Sequence, residues 1–176
     1  MAQMGAKVIA LARSETNLKK AIANLPDLPT NERHQFIVAD LSDRKKLKEK
    51  IGVLLNSIGT IDILVNNCGG PKSGPITKAT EDDFLQAFQN HVLTSQLLAQ
   101  LLLPAMKAAK YGRIINIIST SVKVPIANLG VSNTIRAAMA NWAKTLSLEV
   151  APFGITVNNV LPGLTATDRR ADCLIW

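Results

Sequence analysis

Two kinds of pattern alternate along the chain: short runs of adjacent apolar residues, and longer stretches in which apolar residues recur every three or four positions. The first is what a buried strand needs, and the second draws one face of a helix. Solid runs stand at residues 6–12 (AKVIALA), 34–40 (HQFIVAD), 61–66 (IDILVN), 113–119 (RIINIIS) and 155–161 (ITVNNVL). Between them the spacing predicts a helix over 15–25 with Ser14 as its N-cap, and another from a cap at Ser42 to about residue 57, stopped by Gly59. Thr80, Glu81, Asp82 and Asp83 put acidic side chains in the first turn of a long helix ending near residues 104–109, and a further helix is predicted over 132–150. The strands are apolar on both faces and alternate with helices, as in a parallel sheet covered on each side. The expectation is therefore a doubly wound α/β fold, with no linker dividing the chain into separate domains.

Composition narrows the class. Hydrophobic residues are 47% and charged residues 19% of the 176, which excludes a disordered chain and describes a soluble globular one. The longest apolar stretch, 97–106, is broken by Gln100 and Pro104 and falls short of the ~20 residues of a membrane span. No charged leader with a long apolar region opens the chain, so the cytoplasm is the expected compartment. Cys68 and Cys173 form no CxxC motif, and His34 and His91 stand at no metal-ligand spacing to them, so no metal is expected. The net charge of +7 is scattered except at Lys45, Lys46, Lys48 and Lys50, which read as the wet face of a helix. With only 4% aromatic residues, a solvated surface is preferred to nucleic-acid binding.

In open α/β sheets ligands bind beyond the carboxyl ends of the strands. Arg13 follows the first strand with no acidic residue beside it, where an arginine accommodates the 2′-phosphate of NADP and a carboxylate would favour NAD. Asp40 follows the second strand, Asn66, Asn67, Cys68 and Gly69 the third, Ser119 the fourth, and Pro162 and Gly163 the fifth, with Thr167 four residues on. Polar or small residues at five consecutive strand ends are more specific together than any one alone.

In this order and spacing the chain resembles the classical short-chain dehydrogenase/reductase family, particularly its 3-oxoacyl-ACP-reductase-like branch. Residues 66–69 (NNCG) stand against the family's NNAG, 113–119 against its strand ending in the catalytic serine, 154–158 (GITVN) against GIxVN, and Pro162, Gly163 and Thr167 against PGxxxT. The resemblance implies an oxidoreductase acting on a carbonyl/alcohol pair. It implies adenosine contacts at Arg13 and Asp40, a cofactor-facing turn at Asn66, Cys68 and Gly69, and a nicotinamide held by Thr167 beyond Pro162 and Gly163. NADP(H) is expected before NAD(H). It also implies a homodimer or homotetramer through the two long helices, and a small-molecule substrate.

Three departures bear on the chemistry. The family's first strand and Gly-rich phosphate turn have no counterpart here, so the chain reads as truncated at its N-terminus and short at its C-terminus. The strand at 6–12 must then pair directly with that at 61–66 or leave a gap. Second, the family's catalytic tyrosine and lysine fall on Ser132 and Arg136; i and i+4 share a helix face, but an aliphatic hydroxyl ionises far less readily than a phenol. Third, His91 occupies the position of an expected asparagine. It lies with Phe84, Phe88, Ser95 and Leu98 on one helical face, as a core histidine bonded to a backbone carbonyl or as a surrogate acid. Ser119 reads as catalytic or as a turn-satisfying hydroxyl, and Cys68 as a small core residue without a cation nearby in sequence. The competing functional reading is a non-catalytic relative that serves as a binding or scaffolding subunit.

Overall fold

A computed structural model of the chain describes residues 1–30 and 32–163. Its contacts divide the chain into two compact units, Met1–Val53 and a second beginning at Leu54. In the first, strand β1 (Ile9–Ala12) pairs in parallel with β2 (Gln35–Val38), Ala12 opposite Val38. Helix α1 (Glu15–Ala23) returns the chain between them, and the Ser14 side chain accepts from the Asn17 N–H, the cap its sequence predicts. His34 ties the approach to both strands, with Nδ1 accepting from the Val8 N–H at 3.0 Å and Nε2 at 2.9 Å from the Pro26 carbonyl. Leu18, Ala39, Leu47 and Ile51 are the buried apolar side chains of this unit. Helix α2 (Arg44–Ile58) begins one residue later than Ser42 would place it, because Asp43 accepts from the Lys46 N–H and does the capping. Ser42 instead turns back onto Asp40.

Among the described residues β1 hydrogen-bonds to β2 alone, so of the two alternatives the pairing of the first strand with residues 61–66 does not form. The strand there, β3 (Ile63–Asn66), belongs to a second parallel sheet of order β3-β4-β5 with β4 (Gly112–Ile117) and β5 (Ile155–Val160). Burial alternates along β4 and β5 instead of being uniform, so one face of this sheet is the fully covered one. Against it, Ala99, Leu102 and Met106 pack with Ile114, Leu146, Val150 and Ile155. Ile114 and Met106 are fully buried, each worth roughly 1.5–3 kcal/mol of transfer free energy. Gly154 (φ 69) starts β5 where a Cβ would come within 2.4 Å of the Lys110 carbonyl, a close approach only glycine allows.

The long predicted helix is not one regular helix. α3 (Glu81–Phe88) starts with a reciprocal capping box between Thr80 and Asp83. A π turn at Gln89–Leu93 then interrupts it before α4 (Thr94–Ala109), and Thr94 Oγ1 donates to the Gln89 carbonyl across that turn. The extra residue changes the phase of the face, so His91 is buried while Phe88, predicted beside it, is exposed. Taken together, Glu81–Ala109 is long and apolar enough, by length and composition alone, to cross a membrane, which the 97–106 stretch by itself did not suggest. Helix α5 (Gly130–Val150) starts two residues before the predicted Ser132, held by a bridge between Gly74 and Leu129.

Candidate active site

The first unit presents two side chains at the carboxyl ends of its paired strands. Arg13 and Asp40 are both exposed, one residue past β1 and two past β2. Asp40 accepts from the Ser42 N–H at 2.9 Å and from the Ser42 hydroxyl at 2.7 Å. These two bonds hold its carboxyl below the ordinary range, with Arg13 adding a smaller electrostatic contribution in the same direction. Arg44 Nη1, at the start of α2, is buried with no hydrogen-bond partner.

In the second unit the residues after β3 and β4 meet the start of α5. The Gly74 N–H donates to the Asn128 carbonyl at 2.7 Å and the Gly130 N–H to the Gly74 carbonyl at 3.2 Å, which ties the loop after β3 to the first turn of α5. Asn133 holds the same loop entrance by donating to the Ile126 carbonyl at 2.9 Å. Ser132 and Arg136, one helical turn apart, are both buried. Arg136 donates to the Ile117 carbonyl at 2.9 Å.

Ser119 closes β4. Its hydroxyl oxygen accepts from the Ser121 N–H at 3.1 Å, which makes the turn role of this side chain real and leaves its O–H as a donor. The Thr120 N–H donates to the Pro162 carbonyl at 3.1 Å, so the end of β5 with Pro162 and Gly163 lies beside this turn. Thr167 and Cys173 fall outside the described residues.

The fold makes His91 and Cys68 neighbours. His91 is buried, as a core histidine is, and Cys68 Sγ lies 2.9 Å from its Nδ1 and 3.6 Å from its Nε2. Cys68 is half-buried. Its sulfur also reaches the Asn90 carbonyl at 3.5 Å, and its cation, invisible in sequence, is Arg136 brought in by the fold. Burial pushes the thiol up, and the Arg136 charge offsets part of that rise. Asn90 Oδ1, next to this pair, is buried with no hydrogen-bond partner. Gly69, one residue beyond Cys68, is exposed, and a Cβ there would meet nothing within 4 Å, so its backbone is open to close approach.

A polar row beneath these residues was not anticipated. Asn66, Asn116 and Asn159 occupy one register across the three strands, and Asn116 is fully buried. Asn66 Nδ2 donates to Asn116 Oδ1 at 2.8 Å, and Asn116 Nδ2 donates to Asn159 Oδ1 at 3.0 Å. The Asn66 amide is thus engaged within the sheet. The available signal was asparagine inside two apolar runs, where a buried amide demands partners.

Among the described residues no group of three or more His, Cys, Asp or Glu side chains could hold a metal ion. The model of the family described as short chain dehydrogenase matches residues 1–174. The chain is 32% identical over 170 residues to the 3-oxoacyl-acyl-carrier-protein reductase FabG of Haemophilus influenzae, covering 96% of this chain and 67% of that protein. The solved short-chain dehydrogenase of Streptomyces avermitilis superposes with a TM-score of 0.85 at 31% identity, over 94% of this chain and 59% of that one. The L-sorbose reductase of Gluconobacter frateurii, solved with NADPH and L-sorbose, also gives 0.85, at 29% identity over 93% and 62%. These neighbours establish a Rossmann-like α/β fold with parallel sheets. The chain thus spans between 59% and 67% of the length of these relatives.

Proposed function

The chain belongs to the short chain dehydrogenase family, and on that premise we propose that it is a nicotinamide-dependent oxidoreductase acting on a carbonyl/alcohol pair of a small molecule, with NADP(H) preferred to NAD(H). The observation that carries this reading is the gathering of Cys68, His91 and Arg136 at the carboxyl ends of β3 and β4, with Ser119 two residues past β4 and Ser132 one helical turn before Arg136. Bound nicotinamide supplies or accepts the hydride. In the first unit Arg13 offers a planar cation to a 2′-phosphate, and Asp40, held ionised by Ser42, accepts hydrogen bonds from the adenosine. The open backbone at Gly69 and the turn at Pro162 and Gly163 fit the approach of a cofactor in the second unit, and Thr167 belongs to the same assignment.

The substrate carbonyl is polarised by the Ser119 hydroxyl, whose oxygen is already anchored to the Ser121 N–H, with Ser132 as a second donor. Arg136 brings a permanent positive charge that lowers the energy of an alkoxide near it. His91 is the proton source, because imidazole exchanges protons readily near neutral pH and neither Ser132 nor Arg136 does. The exposed Leu85 and Phe88 on α3 and Leu148 on α5 support assembly as a homo-oligomer through the long helices. A cytoplasmic location belongs to the same proposal.

Titration of the purified chain with NADPH and NADH, followed by nucleotide fluorescence, tests the reading. Micromolar binding that prefers NADPH is the expected result, and reductase activity should rise when Ser132→Tyr and Arg136→Lys are combined. Binding of neither nucleotide would sink the proposal in favour of a non-catalytic binding subunit.

A further inference from the structure

Among the described residues of the second unit, a close contact joins a thiol to an imidazole. Cys68 sits past β3 and His91 in the π turn between α3 and α4, so no local motif pairs them. The sulfur stands 2.9 Å from Nδ1, against 3.5 Å from the Asn90 carbonyl. A thiol has one proton and its sulfur is a weak acceptor, so the closer nitrogen is the better destination for the S–H. Both ring nitrogens lie within 3.6 Å of the sulfur, which stands nearer Nδ1. Arg136 is the charged group acting on Cys68 from α5.

We propose that Cys68 acts through His91 as a positioning residue and proton reserve: its thiol donates to Nδ1, keeps the ring proton on Nε2, and replaces that proton when it passes to substrate. This rests on the proposed role of His91. As hydride from the reduced nicotinamide reaches the carbonyl carbon, the Nε2–H bond breaks and an O–H bond forms on the substrate oxygen. The S–H bond breaks and an Nδ1–H bond forms in the same relay, so no imidazolate arises. The negative charge ends on sulfur, where the Arg136 guanidinium opposes its cost. Resetting follows when solvent protonates Nε2 and Nδ1 returns its proton to sulfur.

Cys68 and Cys173 are the only cysteines of the chain, so a Cys173→Ser background isolates one S–H stretch for infrared spectroscopy. A band broadened and lowered in frequency, which returns to that of an unbonded thiol in His91→Phe, is expected. An absent band, a band at the unbonded frequency, or one that ignores His91→Phe would overturn the relay. In turnover, Cys68→Ala should lower kcat on the order of 10²-fold with KM held, and Cys68→Ser should recover part of the loss by restoring a donor. An unchanged kcat in Cys68→Ala also overturns the proposal. If the unaltered chain turns over no substrate, the proposed function fails, while the infrared band still decides the thiol–imidazole bond.

Discussion

Asp40 and Cys68 hold comparable places, each two residues past the carboxyl end of a parallel strand, and their environments push them in opposite directions. Asp40 stands in solvent and takes two hydrogen bonds from Ser42, so its charged form is favoured. Cys68 is sheltered between the loop after β3 and the π turn, and burial favours its neutral form despite Arg136. The same position in the fold thus yields a solvated anion in one unit and a neutral hydrogen-bond donor in the other. Charge at the first suits recognition of a polar ligand. A protonated, sheltered group at the second suits proton transfer.

That contrast can be broken most decisively at the proton source. His91→Ala should lower kcat by about 10²- to 10⁴-fold while leaving NADPH affinity nearly unchanged, measured by steady-state kinetics beside fluorescence titration. A parallel fall in affinity would place His91 in binding and erase the division of labour. The next largest effect concerns stability: Asn116→Leu leaves Asn66 and Asn159 without their buried partner and should cost ~3 kcal/mol in urea unfolding. Asp40→Asn, at an exposed site, should stay within about 1 kcal/mol. Equal losses would mean that the two strand ends are equally built into the fold.

Arg13→Ala should weaken NADPH by about tenfold and leave NADH unaffected, a difference of roughly 1.4 kcal/mol. Equal weakening of both nucleotides would remove the 2′-phosphate from the assignment. The smallest effect is a displacement in pH. Because burial raises the folded-state pKa of Cys68, its thiolate fraction at neutral pH is below that of a free cysteine. In the Cys173→Ser background its alkylation rate should therefore climb at a higher pH than that of a free thiol near ~8.5. A climb at lower pH would show that Arg136 outweighs burial and would reverse the comparison.

Much of the frame was legible in the chain. Alternating apolar runs and helical stripes located β1 to β5 and the helices to within a few residues, and the strand ends then named Arg13, Asp40, Ser119, Pro162 and Gly163 without any contact being known. Ser132 and Arg136 were legible as a pair through the family resemblance, their spacing of four residues puts them on one helical face, and the fold buries both. The Asp43 cap and the π turn escaped because a single-residue phase change costs little in pattern yet redirects every side chain after it.

Periodicity, capping and the types of residue at strand ends are local properties, and the sequence by itself determined them: an α/β chain with polar groups gathered where such sheets bind ligands. Tertiary structure decided which of those groups meet. Cys68 and His91 are 23 residues apart, Asn66 and Asn116 are 50 apart, and the cation near Cys68 arrives on a helix that begins at Gly130. Register between parallel strands and the angle at which a loop closes on a helix are fixed by packing across the sheet, and no spacing along one strand encodes the neighbour it will face. Burial, which raises the pKa of Cys68, is likewise a property of the assembled layers, whereas the lowering at Asp40 comes from its near neighbour Ser42.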